Sequence, residues 1–156
     1  MSLPDIRALV PHAGRMVLLD RLVSVGEESL CAEIVIGERT VFCDGQGVGA
    51  WIGVEYMAQA VAAFAGYEAR LKGSMVKVGF FLGTRSYESD CHNFTVGSRL
   101  HVFVQRALQG ENGLGAFECR IEDAEAGRGV LAKATITVFQ PDDVQEFLQG
   151  VKKGSA

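Results

Sequence analysis

Glu55 is the side chain best placed to do chemistry, because it is the only ionisable carboxylate or amine between Trp51 and Tyr67, in a stretch rich in alanine, aromatic and other apolar residues. An ionised carboxylate on such a segment loses hydration, so it is expected either to find a partner or to hold its proton more tightly. The second outcome makes a general acid near neutral pH; the first leaves a carboxyl hydrogen-bonded in the core or at a subunit interface with no catalytic part. Gln59 follows one helical turn later on the same face, where it can orient Glu55, bind a polar part of a ligand, or make a structural hydrogen bond. Backbone N–H groups at the helix start, around Ala50, Trp51 and Gly53, can hold a carbonyl oxygen as negative charge develops on it, and Gly49 and Gly53 are expected to let a ligand come close. His12, after Pro11, can take a proton if the fold brings it near Glu55. His92, in SDCHNF, and His101, opposite Leu100, Val102 and Val104 on its strand, read as structural or solvent-facing. Cys43 has no adjacent histidine, and Asp44 beside it disfavours a thiolate, so a cysteine nucleophile is not expected. Trp51, Tyr56, Met57, Phe64, Phe80 and Phe81 can line an apolar tunnel or pack as ordinary core.

The elements that must position these residues emerge from periodicity. WIGVEYMAQAVAAFAGYEARLKG predicts the longest helix of the chain, stopped at Lys72 and Gly73 and apolar on nearly every face, as a helix surrounded by other structure must be. Ahead of it, Pro4 to Val10 predicts a short helix, Met16 to Leu19 leads into a first strand, and Gly26 marks a turn. From Leu30 to Ile36 a period-two pattern puts Leu30, Ala32, Ile34 and Ile36 on one side and Glu33 on the other. Val41 to Gly49, with Gly45, Gly47 and Gly49, reads as a loop too flexible for a strand. After the helix, strands are predicted over Val76 to Tyr87, Arg99 to Ala107, Gly115 to Ile121 and Gly129 to Phe139. In the third, Ala116, Glu118 and Arg120 alternate with Phe117, Cys119 and Ile121, and in the last Ala132, Ala134, Ile136 and Val138 form one line, so one sheet face is apolar. Pro141 ends the last strand; PDDVQEFLQGVKK reads as a short amphipathic helix and the final residues as frayed. An antiparallel sheet with one apolar face and a single buried helix is best satisfied by curling the sheet around the helix.

The length of 156 residues and 48% hydrophobic content suit one core, so a single domain over 1–156 is expected. A formal net charge of -4 and scattered basic residues argue against nucleic acid as a partner. The helical run is at the short limit of a membrane span and contains Glu55 and Gln59, so no span is expected. Nothing reads as a signal peptide, which points to the cytoplasm. Cys31, Cys43, Cys91 and Cys119 lack C-x-x-C spacing; they read as reduced thiols, with no metal site and no cofactor.

PHAGRMVLLDRLV resembles the LPH-x-x-P-(F/M)-L-L-x-D-R opening of bacterial 3-hydroxyacyl-carrier-protein dehydratases, and GVEYMAQAVAAFAG resembles their E-A-M-A-Q-A helix. The stretch VGFFLGTRSYESDCHNFTVGSRLHVFV is similar in layout to the family's strand after that helix and the P-G-D-like turn beyond it. The nearest likeness is to the divergent ApeP-like dehydratases encoded with aryl polyene and related polyketide or fatty-acid clusters. The resemblance implies an α+β hot-dog fold, in which a curved antiparallel sheet wraps one long central helix, and a dehydration of 3-hydroxyacyl thioesters to trans-2-enoyl thioesters. Glu55 matches the glutamate that protonates the departing hydroxyl, and the thioester carbonyl would lie against the helix start. The family's H-F-P-G loop histidine has no counterpart: Val41 stands there, followed by Phe42, Cys43 and Asp44. His12 is then the candidate base within a family motif. Three functions remain open: a dehydratase, a partner subunit of a heterodimeric dehydratase, and a hot-dog thioesterase with Glu55 as general base. The implied partners are acyl carrier protein or an acyl-CoA thioester, and a second hot-dog subunit in a homodimer or heterodimer.

Overall fold

The computed structural model describes residues 3–11, 14–73, 80–110, 112–125 and 129–139, with the side chains of 80–82 outside that description. The predicted C-terminal helix and tail, the start of the strand predicted from Val76, and His12 lie outside the described residues.

Strands β1 (Arg21–Val25), β2 (Ser29–Val35), β4 (Phe80–Ser89), β6 (Arg99–Gln109), β7 (Leu114–Asp123) and β8 (Val130–Phe139) form one sheet in the order β1-β2-β6-β7-β8-β4, and every neighbouring pair is antiparallel. Helix α1 (Gly53–Leu71) lies in its concavity, preceded directly by a 3-10 turn, Ala50–Ile52. The sheet face that meets the helix is the apolar one read from the alternation: Phe117, Cys119 and Ile121 on β7 and Ala132, Ala134 and Ile136 on β8 are all buried. They pack with Tyr56, Met57, Ala60 and Phe64 of α1 in one core. Burying the helix on several sides explains why its sequence carries so little charge. This is the hot-dog arrangement.

Local structure adds to the sequence pattern at four places and corrects it at two, the opening helix and the glycine-rich loop. The opening helix is a single 3-10 turn, Ile6–Ala8, whose first free N–H, that of Arg7, is capped by the Asp5 carboxylate at 2.9 Å. The apolar run from Met16 to Leu19 leads into β1, as expected, without joining its ladder. Its Leu18 N–H is taken by the side chain of Gln59, at 2.8 Å, so it packs on the helix instead of entering a ladder. The glycine-rich loop ends in a true strand, β3 (Gly47–Gly49), which pairs antiparallel with β5 (Asn93–Thr95) as a small second sheet. Glu33 lies opposite Leu30, Ala32 and Ile34 on β2, as the alternation places it, yet is only 3% exposed. Arg21 on β1 holds it at 2.5 Å, and Arg99 and His101 on β6 close over its other oxygen at 3.2 and 3.5 Å. The long cationic side chains cover the carboxylate with their own stems.

The C-terminal half of α1 is tied to the sheet by Arg106. Its guanidinium meets both Glu68 carboxylate oxygens, reaches Glu28 at 3.0 Å, and lies over the rings of Phe64 and Phe117, 4.9 and 5.6 Å from their centroids. Gly66 completes this helix's packing. A side chain there would run into the carbonyl of Leu9, so the helix accepts a residue of poor propensity to let the opening segment lie against its backbone. Among the described residues no helix is long and apolar enough to cross a membrane.

Candidate active site

Glu55 lies in the first turn of α1, half-buried, and the Gln59 side-chain amide donates to its Oε1 at 3.4 Å. Gln59 itself is fully buried and does two other things: its oxygen accepts the Leu18 N–H, and its nitrogen donates to the Met16 carbonyl at 2.6 Å. One amide therefore both fixes the segment before β1 on the helix and touches the carboxyl of Glu55. Of the three roles weighed for Gln59, the structural one is met by its bonds to Leu18 and Met16, while its contact with Glu55 is the geometry an orienting role needs.

The helix start that carries Glu55 has no cap of the usual kind. Neither Gly49, before the 3-10 turn, nor Ile52, before α1, supplies a side-chain hydrogen bond. The turn is held from outside instead. The Ala50 N–H donates to the His92 carbonyl at 2.9 Å, the Ala50 carbonyl accepts the Gly53 N–H, and the Tyr87 hydroxyl donates to that same carbonyl in a short hydrogen bond. Burial pushes the Tyr87 phenol up to about 12, so it stays a neutral donor through the ordinary pH range.

The structure corrects what Gly49 and Gly53 are for. The space on the Cβ side of Gly49 is filled by the Trp51 indole, and that of Gly53 by the Tyr87 hydroxyl with Phe94 and Ile121 close behind. Both glycines make room for protein side chains rather than for a ligand. Trp51 does not line an interior tunnel: it is 71% exposed and pairs with Phe42, 53% exposed, at a ring-centroid distance of 6.4 Å. Phe42 holds a left-handed backbone, φ 70°, uncommon for a bulky residue. An open aromatic edge thus stands one turn ahead of Glu55. Tyr56, Met57 and Phe64 are fully buried in the core, and the side chains of Phe80 and Phe81 lie outside the described residues.

Of the histidines, His92 contributes its backbone carbonyl at the helix start, while His101 faces Glu33 on the outer face of the sheet. Burial raises the thiols of Cys31 to about 11 and Cys119 to about 12, so neither is a nucleophile at neutral pH. Among the described residues no cluster of His, Cys, Asp or Glu is arranged to hold a metal. Sequence reasoning missed Tyr87. The only signal for it was one aromatic residue inside the polar run RSYESD.

The chain resembles proteins with this architecture. A structure of the dehydratase heterocomplex ApeI:P from Xenorhabdus doucetiae matches with 25% identity and a TM-score of 0.83, covering 96% of this chain and 99% of that one. Zebra fish thioesterase superfamily member 2 matches with 13% identity and a TM-score of 0.67, covering 86% and 92%. A hypothetical thioesterase from Streptococcus pneumoniae, solved with coenzyme A, matches with 12% identity and a TM-score of 0.59, covering 77% and 84%. No curated protein sequence matches. The thioesterase likenesses speak for the fold alone. The sequence itself is matched over residues 4–149 by the ApeP-like family, described as ApeP dehydratase. With the carboxylate-bearing central helix and the wrapped sheet both inside that span, the chain belongs to the ApeP-like dehydratase family.

Proposed function

We propose that this protein is one half of a dehydratase that converts 3-hydroxyacyl thioesters to trans-2-enoyl thioesters, with Glu55 as the general acid. In this reading a base removes the proton from the carbon next to the thioester carbonyl, and the electron pair left behind forms the C2–C3 double bond. The bond from C3 to the hydroxyl breaks, and Glu55 delivers the proton that lets it leave as water. The observation that carries the reading is the half-buried carboxyl of Glu55 at the first turn of α1, braced by a buried amide, in a chain of a dehydratase family. The thioester carbonyl would rest against the helix start beside Trp51, because the Ala50 and Gly53 N–H groups there already donate to the carbonyls of His92 and Ala50.

Val41 stands where the family's loop histidine would act, so the base comes from elsewhere. A second hot-dog subunit that keeps the H-F-P-G loop is the reading favoured by the likeness to a dehydratase heterocomplex. The open Phe42 and Trp51 edge beside Glu55 is apolar surface suited to such a partner. The substrate class would be an acyl group on carrier protein, in a fatty-acid, aryl polyene or polyketide pathway, and the protein would work in the cytoplasm.

The test is a spectroscopic assay of enoyl formation from a 3-hydroxyacyl-carrier-protein thioester, run with this chain alone and with a hot-dog subunit that carries the H-F-P-G loop. Turnover is expected from the pair, unchanged by His12→Ala, and lowered by about 10²–10⁴-fold in Glu55→Gln with the complex intact. A Glu55→Gln complex at wild-type rate refutes the acid role. Turnover by this chain alone that disappears in His12→Ala makes His12 the base, and release of free acid makes the protein a thioesterase.

A further inference from the structure

Along most of β4 the residues alternate as a strand should. Thr84 pairs with the buried Ile136 and so faces the helix, and Arg85 pairs with Thr135 and faces out. Continued unchanged, that alternation sends Tyr87 outward. The register slips between Arg85 and Glu88, however: Arg85 opposes Thr135 and Glu88 opposes Lys133, so two residues, Ser86 and Tyr87, stand against Ala134 alone. Ser86 adopts φ 54°, a left-handed conformation that serine rarely takes, and remains exposed. This is a β-bulge, and its effect is to turn Tyr87 to the inner face while Glu88 returns to the outer one, where it meets Lys133 at 3.9 Å.

The side chain so redirected reaches the one part of α1 that has no cap of its own. Its hydroxyl meets the Ala50 carbonyl and occupies the space beside Gly53, two residues before Glu55. We infer that Tyr87 is a positioning residue for Glu55: the bulge at Ser86 turns it inward, and its hydroxyl anchors the Ala50–Gly53 turn, so that the first turn of α1 holds the Glu55 carboxyl at a fixed place beside the substrate. This rests on the proposed acid role of Glu55. The bulge with its left-handed Ser86 sets the direction of Tyr87, and an uncapped helix end frays without an external tie.

Tyr87→Phe removes the hydroxyl and keeps the ring. In the dehydratase complex it is expected to lower kcat at least tenfold while KM stays within twofold, because substrate still binds but meets a wandering acid. In the chain alone, amide hydrogen exchange followed by mass spectrometry is expected to speed up at least tenfold across 51–54, with the exchange of β6 and β7 unchanged. Gly53→Ala places a methyl against the hydroxyl, so it is expected to lower Tm less in the Tyr87→Phe background than in the wild type. A Tyr87→Phe enzyme with wild-type kcat, or unchanged exchange across 51–54, overturns the inference. If the wild-type complex forms no enoyl product while exchange still rises in Tyr87→Phe, the dehydration reading fails and the anchoring of the turn stands.

Discussion

Replacing Gln59 with leucine keeps the volume and helix propensity of the side chain and removes all three of its hydrogen bonds. The loss that matters most is at Leu18, a buried residue whose N–H lies 2.8 Å from the Gln59 oxygen and would be left unpaired, at about 1–3 kcal/mol. The Met16 carbonyl, 2.6 Å from the amide nitrogen, belongs to an exposed residue, so water can replace that bond at a cost of about 0.5–1.5 kcal/mol. The contact with Glu55, at 3.4 Å, is long and contributes little to stability. Burying a leucine side chain offsets roughly 1 kcal/mol. A net loss of about 2 kcal/mol is expected, which for a chain of this size lowers Tm by about 4–8 °C. Urea denaturation at one fixed protein concentration, with the slope m compared between variants, measures it without confusion from association. A loss below about 0.5 kcal/mol with unchanged m would mean that the Leu18 N–H already reaches water, and that Gln59 does not seal the segment before β1 onto the helix.

Other perturbations probe the rest of the scaffold. Gly66→Ala improves helix propensity by about 1 kcal/mol yet is expected to destabilise by about 2 kcal/mol or more, because the methyl meets the Leu9 carbonyl; a rise in Tm would show that the opening segment does not lie against α1. Arg106→Lys keeps the charge but loses the two-pronged grip on Glu68 and the stacking on Phe64 and Phe117, so a loss of about 2 kcal/mol is expected in chemical denaturation, and an unchanged midpoint contradicts the clamp. Cys31, Cys119 and Tyr87 are acids whose folded values are raised, from 9.0 to about 11, from 9.0 to about 12, and from 10.0 to about 12. Between those limits the unfolded chain releases protons that the folded chain keeps, so stability is whole below about pH 9 and falls from there towards pH 12. Denaturation midpoints measured from pH 8 to 10.5 should decline, and a flat or rising profile would contradict the burial of these groups.

Much of this protein was legible along the chain. The lone carboxylate in an alanine-rich run picked out Glu55 and the central helix, because a buried helix excludes charge wherever nothing needs it. Period-two alternation in 116–121 and 132–138 identified the inner sheet face, since side chains on a strand must alternate. Gln59 was legible as a partner of Glu55 through its spacing of four residues.

What alternation cannot register is a residue inserted into it. The bulge at Ser86 moves Tyr87 across the sheet, where its hydroxyl meets a carbonyl on a turn more than thirty residues earlier. Glu33 is buried for a similar reason, since its cover comes from Arg21, Arg99 and His101 on two neighbouring strands. Gly49 and Gly53 looked like openings and are closed by Trp51 and Tyr87. Local pattern dictates which faces of helix and strand turn inward, because those periods are properties of the backbone itself. Which polar group then meets which is decided where distant segments come together, and only the folded chain contains that information.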